Sequence, residues 1–354
     1  MSDQTPVNSE NSVWKLLADL ATKKGITEIV VNDPKRVFVE REGNFIQLNV
    51  TLSSKDIHDF CQEVAQLNQR HFDIEHPILD GTLPDGSRIN IIRAPYAHSG
   101  AAITIRKFLR SIRSFDDSPM VFSLGPKWVH FLKAVVKSRM NVIISGGTGV
   151  GKTTFMNLLL GELPASERVV TIEDTLELSF KIPNLVRLES GAKTMMSSTS
   201  LSTRELVRNT LRMRPDRIII GEIRGGEFFD LLQAMNTGHE GSMTSLHANN
   251  PSECFNRMEN LYLMAGHEVP FQVIRRQIAS AVDYVIQLSR DRDGNRIVSE
   301  IREITGMESN NILSQVIGHH DDGELLFSGL TPKNIDRFHG MADLPLDFFG
   351  SVRT

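Results

Sequence analysis

The sequence predicts a two-domain α/β protein whose second, larger domain is a sheet with helices on both faces. Three observations carry that prediction. At 354 residues the chain exceeds the size at which single hydrophobic cores stop growing. From about residue 124 onward, apolar strand-like runs alternate with helical patterns. Within that alternation, SGGTGVGKTTFMN (Ser145 to Asn157) directly follows the apolar run NVIIS and opens a helical pattern, the context in which a G-x-x-x-x-G-K-[ST] match has meaning.

The elements follow in order. A polar leader, residues 1–11, is expected to be disordered, and the first domain spans 12–108. It opens on the helical stretch SVWKLLADLATKKG, ending near Gly25. ITEIVVN, RVFVERE and NFIQLNV then read as short strands separated by the turns Asn32-Asp33-Pro34-Lys35 and Glu42-Gly43-Asn44. SSKDIHDFCQEVAQLNQR is a helix with Ile57, Phe60, Cys61, Val64 and Leu67 on one face, and RINIIR and AAITIRKF add two strands. Residues 109–123 carry charge, Ser and Pro without a period and read as a linker. The second domain, 124–354, opens with helix KWVHFLKAVVKSR. After the phosphate-loop strand come RVVTIED, LVRLE, STRELVRNTLRM, RIIIGE, GEFFDLLQAMN and GSMTSLHA. Helices near 252–265 and 271–280 follow, then VDYVIQLS and IVSEIREI. Such alternation places ligands at the carboxyl ends of the strands. The last fifty residues are less periodic and predict little.

Composition narrows the function. Thirty-nine basic and 43 acidic residues give a formal charge of −4, which offers no global case for nucleic-acid or anionic-membrane binding. The two cysteines, Cys61 and Cys254, lack C-x-x-C spacing, so neither a disulfide framework nor a zinc module is suggested, and a reduced, cytoplasmic setting is the natural reading. The first residues have no apolar core of signal-peptide length.

The chemistry gathers around the loop. Gly146, Gly147, Thr148, Gly149, Val150 and Gly151 bring backbone N–H groups onto anionic oxygens. Lys152 reaches the outer phosphates, the Thr153 hydroxyl faces Mg²⁺, and Thr154 continues the cradle, so ATP with Mg²⁺ is the expected ligand. TIEDTLEL puts Glu173, Asp174 and Glu177 at a strand end, where a water-activating base belongs. RIIIGEIRGGE ends an apolar strand at Glu222, where phosphate-loop enzymes hold Mg²⁺, here through a metal-bound water. His239 and His247 flank GSMTSL at a spacing unlike most zinc motifs, which points to sensing of the γ-phosphate or relay to a subunit interface. Arg204, Arg208 and Arg212 recur every fourth residue, with Arg214 and Arg217 beyond. They form either a solvated face or a subunit or phosphate clamp. Arg106 and Lys107 end the first domain's last strand, next to the linker.

Taken together, SGGTGVGKTTFMN, TIEDTLEL, LRMRPDRIIIGEIRGGE and TGHEGSMTSLHAN occur in an order that resembles the type II/IV secretion and type IV pilus ATPases. ITEIVVNDPKRVFVEREG, LDGTLPDGSRIN, ITIRKF, LQAMNTGHEGS, LMAG, RRQIASAVDYVIQLSRDRDGNR and EITGMES are similar to the CpaF/TadA family of Tad (Flp) pilus ATPases, over roughly residues 25–340. The resemblance implies a RecA-like P-loop NTPase motor domain after a PAS-like N-terminal domain. It also implies a hexameric ring with ATP between domains and at subunit boundaries, docked on inner-membrane platform proteins. By motif it makes Glu177 the general base and Glu222 the Walker B acid. His239 and His247 become the His box, and Arg106 an arginine that reaches the nucleotide. RAPYAHSG departs from the Pro-rich step usual in the family before that strand, and the short leader implies that the extra N-terminal helical bundle of longer relatives is absent. A conjugation or effector-secretion ATPase is the neighbouring alternative. A RecA-like nucleotide-dependent DNA-binding protein is a third, supported only by the Arg204–Arg212 stripe; no direct nucleic-acid binding is expected.

Overall fold

The computed structural model describes residues 10–23, 25–41, 43–107, 114–115, 121–191, 200–342, 344–345 and 348–349. Most of the leader and most of the stretch 109–123 read as a linker lie outside the described residues. The chain divides into two compact units, 1–111 with 191–201, and 112–190 with 202–354.

The first unit packs two helices on one face of an antiparallel sheet. Helix α1 (Ser12–Ala21) is capped by Asn11, whose side chain accepts the Val13 N–H, and α2 (Ser54–Leu67) by Ser53. Strands β1 (Ile26–Asp33), β2 (Arg36–Arg41), β3 (Asn44–Gln47), β4 (Ile78–Thr82), β5 (Arg88–Arg93) and β6 (Ala101–Arg106) are ordered β3-β2-β1-β6-β5-β4. Alternate residues Ile29, Val31, Val37, Val39, Ile103 and Ile105 meet Phe60 and Val64 of α2, and Trp14 sets its ring edge-on to Phe60 at 4.7 Å. Strand β4, ILDGT, is an addition to the expected elements. Arg106 ends β6 across from Glu28 on β1 and Arg88 on β5.

The second unit is a nine-stranded sheet. Its elements are α3 (Pro126–Lys137), β7 (Val142–Gly146), α4 (Lys152–Leu160), β8 (Arg168–Glu173), β9 (Asn184–Glu189), α5 (Thr203–Thr210), β10 (Arg217–Ile220), α6 (Glu227–Asn236), β11 (Met243–Leu246), α7 (Pro251–Leu263), α8 (Phe271–Ala281), β12 (Tyr284–Arg290), β13 (Arg296–Glu308), β14 (Asn311–Asp321), β15 (Glu324–Phe327) and α9 (Ile335–Met341). The order is β15-β14-β13-β12-β7-β11-β10-β8-β9. From β12 to β9 every pairing is parallel; from β12 to β15 every pairing is antiparallel.

Helices on both faces explain why the parallel strands read as unbroken apolar runs. Val142 and Ile144 enter one core with Phe131 and Leu132 of α3 and Phe155 and Leu159 of α4. Ile143 enters the other, with Leu231 of α6, Met258 of α7 and Ile278 of α8. The antiparallel extension is fixed to the body by Trp128, which stacks on Phe327 at 3.7 Å and donates its indole N–H to the Leu325 carbonyl. Cys61 and Cys254 are both buried, which pushes their thiols up to about 12. Among the described residues no helix is long and apolar enough to cross a membrane.

Candidate functional site

The carboxyl edge of the parallel sheet gathers the chemistry. Strand β7 runs into the phosphate loop, and its neighbours β11, β10 and β8 end in His247, Glu222 and the Glu173–Glu177 segment. Register does the work: Leu246 pairs with Ser145, Ile220 with Thr244, and Ile220 with Ile172.

The loop demands glycine at specific places. Gly151, at φ 95°, is the residue from which α4 starts, and a Cβ there would lie 3.1 Å from both the Phe122 ring and Arg296 Cδ. A Cβ on Gly146 would meet Val150 Cγ2 at 2.6 Å and the Leu288 carbonyl at 2.8 Å. Gly147 has open space around the same position, so its backbone is approachable. Lys152 and Thr153 begin α4, whose first N–H groups have no partner inside the helix.

Lys152 is 8% exposed, and its ammonium is held by three acceptors: the Gly146 and Gly147 carbonyls at 2.9 Å each and His247 Nδ1 at 3.1 Å. The other imidazole nitrogen, Nε2, lies 2.9 Å from Glu222 Oε1. One tautomer satisfies both contacts: neutral imidazole, accepting from Lys152 at Nδ1 and donating to Glu222 from Nε2. Burial, and after it the charges of Lys152, Arg224 and Arg257, hold His247 below the ordinary imidazole value against the opposing pull of Glu222, which keeps that form at neutral pH. Glu222 also accepts from Arg224 at 3.2 Å.

The three carboxylates of TIEDTLEL separate completely. Glu177 comes to the loop, accepting the Thr153 hydroxyl at 3.2 Å. Glu173, 4% exposed, accepts the backbone N–H of Glu177 at 2.8 Å and of Leu178 at 2.7 Å, so it straps the segment that carries Glu177. Burial raises its carboxyl above the usual range, opposed by those two N–H groups and by Arg187. Asp174 turns away to Ser190 and Arg224. Glu173→Ala is expected to orphan both N–H groups, at roughly 1–3 kcal/mol, and to lower turnover from outside the loop. Glu173→Gln, which keeps a carbonyl acceptor, should be milder. Denaturant unfolding and phosphate release measure both, and an Ala variant with wild-type stability and turnover would refute the strap.

His239 is not brought to this cluster. It sits at the amino end of β11, where its N–H and ring close the end of α6 against the Ala234 carbonyl. A strand between two histidines separates them to opposite edges of the sheet. The arginine stripe is also re-read. Arg204 and Arg208 both pair with Asp230 of α6, at 2.7 and 2.9 Å, clamping α5 to α6. Arg217 has no exposure at all and is ion-paired to Glu167, so it cannot serve a second subunit. Arg106 belongs to the first unit. Sequence reasoning missed Glu173 as the strap, because nothing in TIEDTLEL tells which carboxylate turns inward.

The donor set fits a nucleoside triphosphate with Mg²⁺. The Thr153 hydroxyl spends its proton on Glu177 and so keeps its lone pairs for a cation. Glu222 stands two strands from β7 with its carboxylate in the same cluster. Among the described residues no group of three His, Cys, Asp or Glu side chains forms a protein cage for a metal. Mg²⁺ characteristically needs only one or two protein oxygens beside phosphate and water.

Residues 11–315 match the family of type II/IV secretion system proteins. A putative conjugal transfer protein of Mycobacterium tuberculosis is 31% identical over 315 residues, covering 87% of this chain and 89% of its own. The type IV secretion system protein VirB11 of Brucella suis is 33% identical over 307 residues, covering 78% and 85%. The solved structure of the pilus retraction motor PilT with bound ADP superposes with a TM-score of 0.57 at 17% identity, over 92% of this chain and 86% of PilT, a likeness of fold. A glycine cradle, a lysine, histidine and glutamate drawn to one sheet edge and a match over most of the length agree: the chain belongs to the type II/IV secretion system protein family.

Proposed function

We propose that this protein is an ATP-hydrolysing motor of a secretion or pilus apparatus, working as a homo-hexameric ring on an inner-membrane platform. The observation that carries the proposal is the convergence of Lys152, His247 and Glu222 with the Thr153–Glu177 pair at the carboxyl edge of the sheet. The ADP bound by PilT supports a nucleotide of that class here.

In this reading the loop N–H groups and Lys152 bind and orient the outer phosphates, and Glu177 accepts a proton from the attacking water. Thr153 and Glu222 would hold Mg²⁺, which would supply charge neutralisation at the phosphates. His247, neutral, joins the lysine to the glutamate, so a change at the phosphates is felt at β10. His239, at the far edge, is assigned to relay between subunits rather than to phosphate contact. Arg106 is the candidate for charge supplied from the first unit, which spans 12–108 in this proposal, with 109–123 as the hinge.

Two apparatuses are consistent with this chemistry. The stretches similar to CpaF/TadA favour assembly, with or without retraction, of a Tad pilus. The relatives named for conjugal transfer and type IV secretion favour a transfer ATPase. Deleting the gene and scoring surface pili against plasmid transfer separates them.

The motor reading itself has a direct test. ATPase activity per subunit is expected to rise with protein concentration as rings form. Lys152→Ala subunits mixed into wild type should depress activity more steeply than dilution. Arg106→Ala should lower turnover with little loss of ATP affinity. A monomer with full specific activity, or a mixing curve linear in wild-type fraction, would sink the shared-site arrangement.

A further inference from the structure

Helix α7 has two faces of opposite character. Cys254, Met258, Leu261 and Tyr262 point into the core. Glu253, Asn256, Arg257 and Asn260, at i, i+3, i+4 and i+7, share the other face. That polar face, together with Gly147, Thr148 and His247, lines one open groove of about 530 Å³.

Within the groove the charges are unbalanced. Glu253 is spent at the start of its own helix, where its carboxylate accepts the Asn249 N–H and the side-chain amides of Asn249 and Asn250. Arg257, one turn further on, forms no ion pair or hydrogen bond among the described residues, although it is half-buried. Among other half-buried arginines, Arg139, Arg204, Arg275, Arg302 and Arg337 each rest on a carboxylate, Arg168 donates to the Met213 carbonyl and Asn184 Oδ1, and Arg93 lies over the Phe72 ring. A half-buried guanidinium facing a groove whose one lining acid, Glu253, is already engaged by Asn249 and Asn250 is a site for an anion that arrives.

The position of the groove says which anion. His247 both lines it and contacts the Lys152 ammonium at 3.1 Å. The groove therefore opens beside the place where the lysine holds the outermost phosphate. The amides of Asn256 and Asn260, flanking Arg257, are neutral donors suited to the remaining oxygens of a tetrahedral oxyanion.

We propose that Arg257, with Asn256 and Asn260, forms a second anion subsite that takes inorganic phosphate after it is cleaved from the nucleotide. This rests on the nucleotide-hydrolysis reading above. No bond is made at the subsite: the phosphate leaves the loop, exchanges Lys152 for Arg257 and departs along α7, while ADP stays on the loop. Arg257 is a product-binding residue here, and turnover depends on it through release.

The test uses the full chain. Inorganic phosphate is titrated into ADP-saturated protein by calorimetry, and its inhibition of steady-state ATP hydrolysis is measured alongside. Arg257→Ala is expected to weaken phosphate binding and raise its inhibition constant by about tenfold or more, the loss of one charge-assisted contact. ADP affinity and thermal stability should stay within about twofold and a degree or two of wild type. Arg257→Lys should recover part of the phosphate affinity, and Asn260→Ala should show a smaller loss of the same kind. Wild-type phosphate affinity in Arg257→Ala overturns the subsite. So does an equal loss of ADP and phosphate binding, which marks a structural role. So does a defect confined to ring assembly by light scattering, which would make a neighbouring copy's carboxylate the partner of Arg257. If wild type binds ADP but ADP-saturated protein takes no phosphate, the subsite falls and the motor reading stands. If wild type binds no ADP, both fall.

Discussion

Glu177→Gln protein is expected to bind ATP nearly as wild type does while its phosphate release falls by about 10²- to 10⁴-fold. The amide keeps the shape of the carboxylate and can still accept the Thr153 hydroxyl through its carbonyl oxygen, now found at 3.2 Å. What it loses is the capacity to take a proton from water. Glu173 continues to hold the backbone N–H of residue 177, so the side chain stays in place and the loss belongs to chemistry. Nucleotide titration and a steady-state phosphate assay on the same sample separate the two effects. Retained turnover would remove Glu177 from the role of base and return attention to Glu222.

Lys152→Ala should fail one step earlier. Its ammonium is almost entirely buried and sits among three acceptors that belong to the loop and to His247. Truncation removes a buried positive charge from the cradle, and breaking a buried charge interaction of this kind costs about 2–5 kcal/mol. That corresponds to an ATP Kd weaker on the order of 30- to 5 × 10³-fold. His247 also loses the donor at Nδ1, so the link to Glu222 is cut from its phosphate end. Direct titration with ATP checks this. Equal affinity for ATP in the Lys152 and Glu177 variants would refute the division between binding and proton transfer.

The parallel half of the large sheet was legible because strands buried on both faces must be apolar throughout: VIISG, RVVTIE and RIII admit no other reading in that company. Two strands that escaped notice have the opposite property. ILDGT lies at a sheet edge and contains an Asp and a Gly, and NILSQVIGHHD runs one face in solvent, so neither shows an apolar run. Helix α9 is short and its register is set by Arg337 reaching Asp283 and the Ser138 and Arg139 carbonyls, partners some fifty and two hundred residues away. At the site, the motif letters identified the loop but could not say how the acids divide. Glu173 and Glu177 are four residues apart in a segment that is not helical, so their directions depend on the turn after β8. The meeting of Glu222 with His247 is a consequence of β10 lying beside β11, which only pairing reveals.

Strand β7 has a history in time as well as a place in the sheet. Its partners β11 and β12 begin at Met243 and Tyr284, so the strand that carries the phosphate loop is flanked on both sides by chain made long afterwards. Gly146 and Tyr284 are separated by roughly 140 residues, and a ribosome adding about 5–20 residues per second spends roughly 7–30 s between them. Throughout that interval a nascent chain carries the letters of the loop without the two ladders that hold it in shape. His247, the third acceptor of Lys152, also arrives only with β11. In the function proposed above, the capacity to hold a nucleotide is thus acquired late in synthesis, once about seven-tenths of the large unit has been made, and shorter chains lack the ladders that shape the cradle.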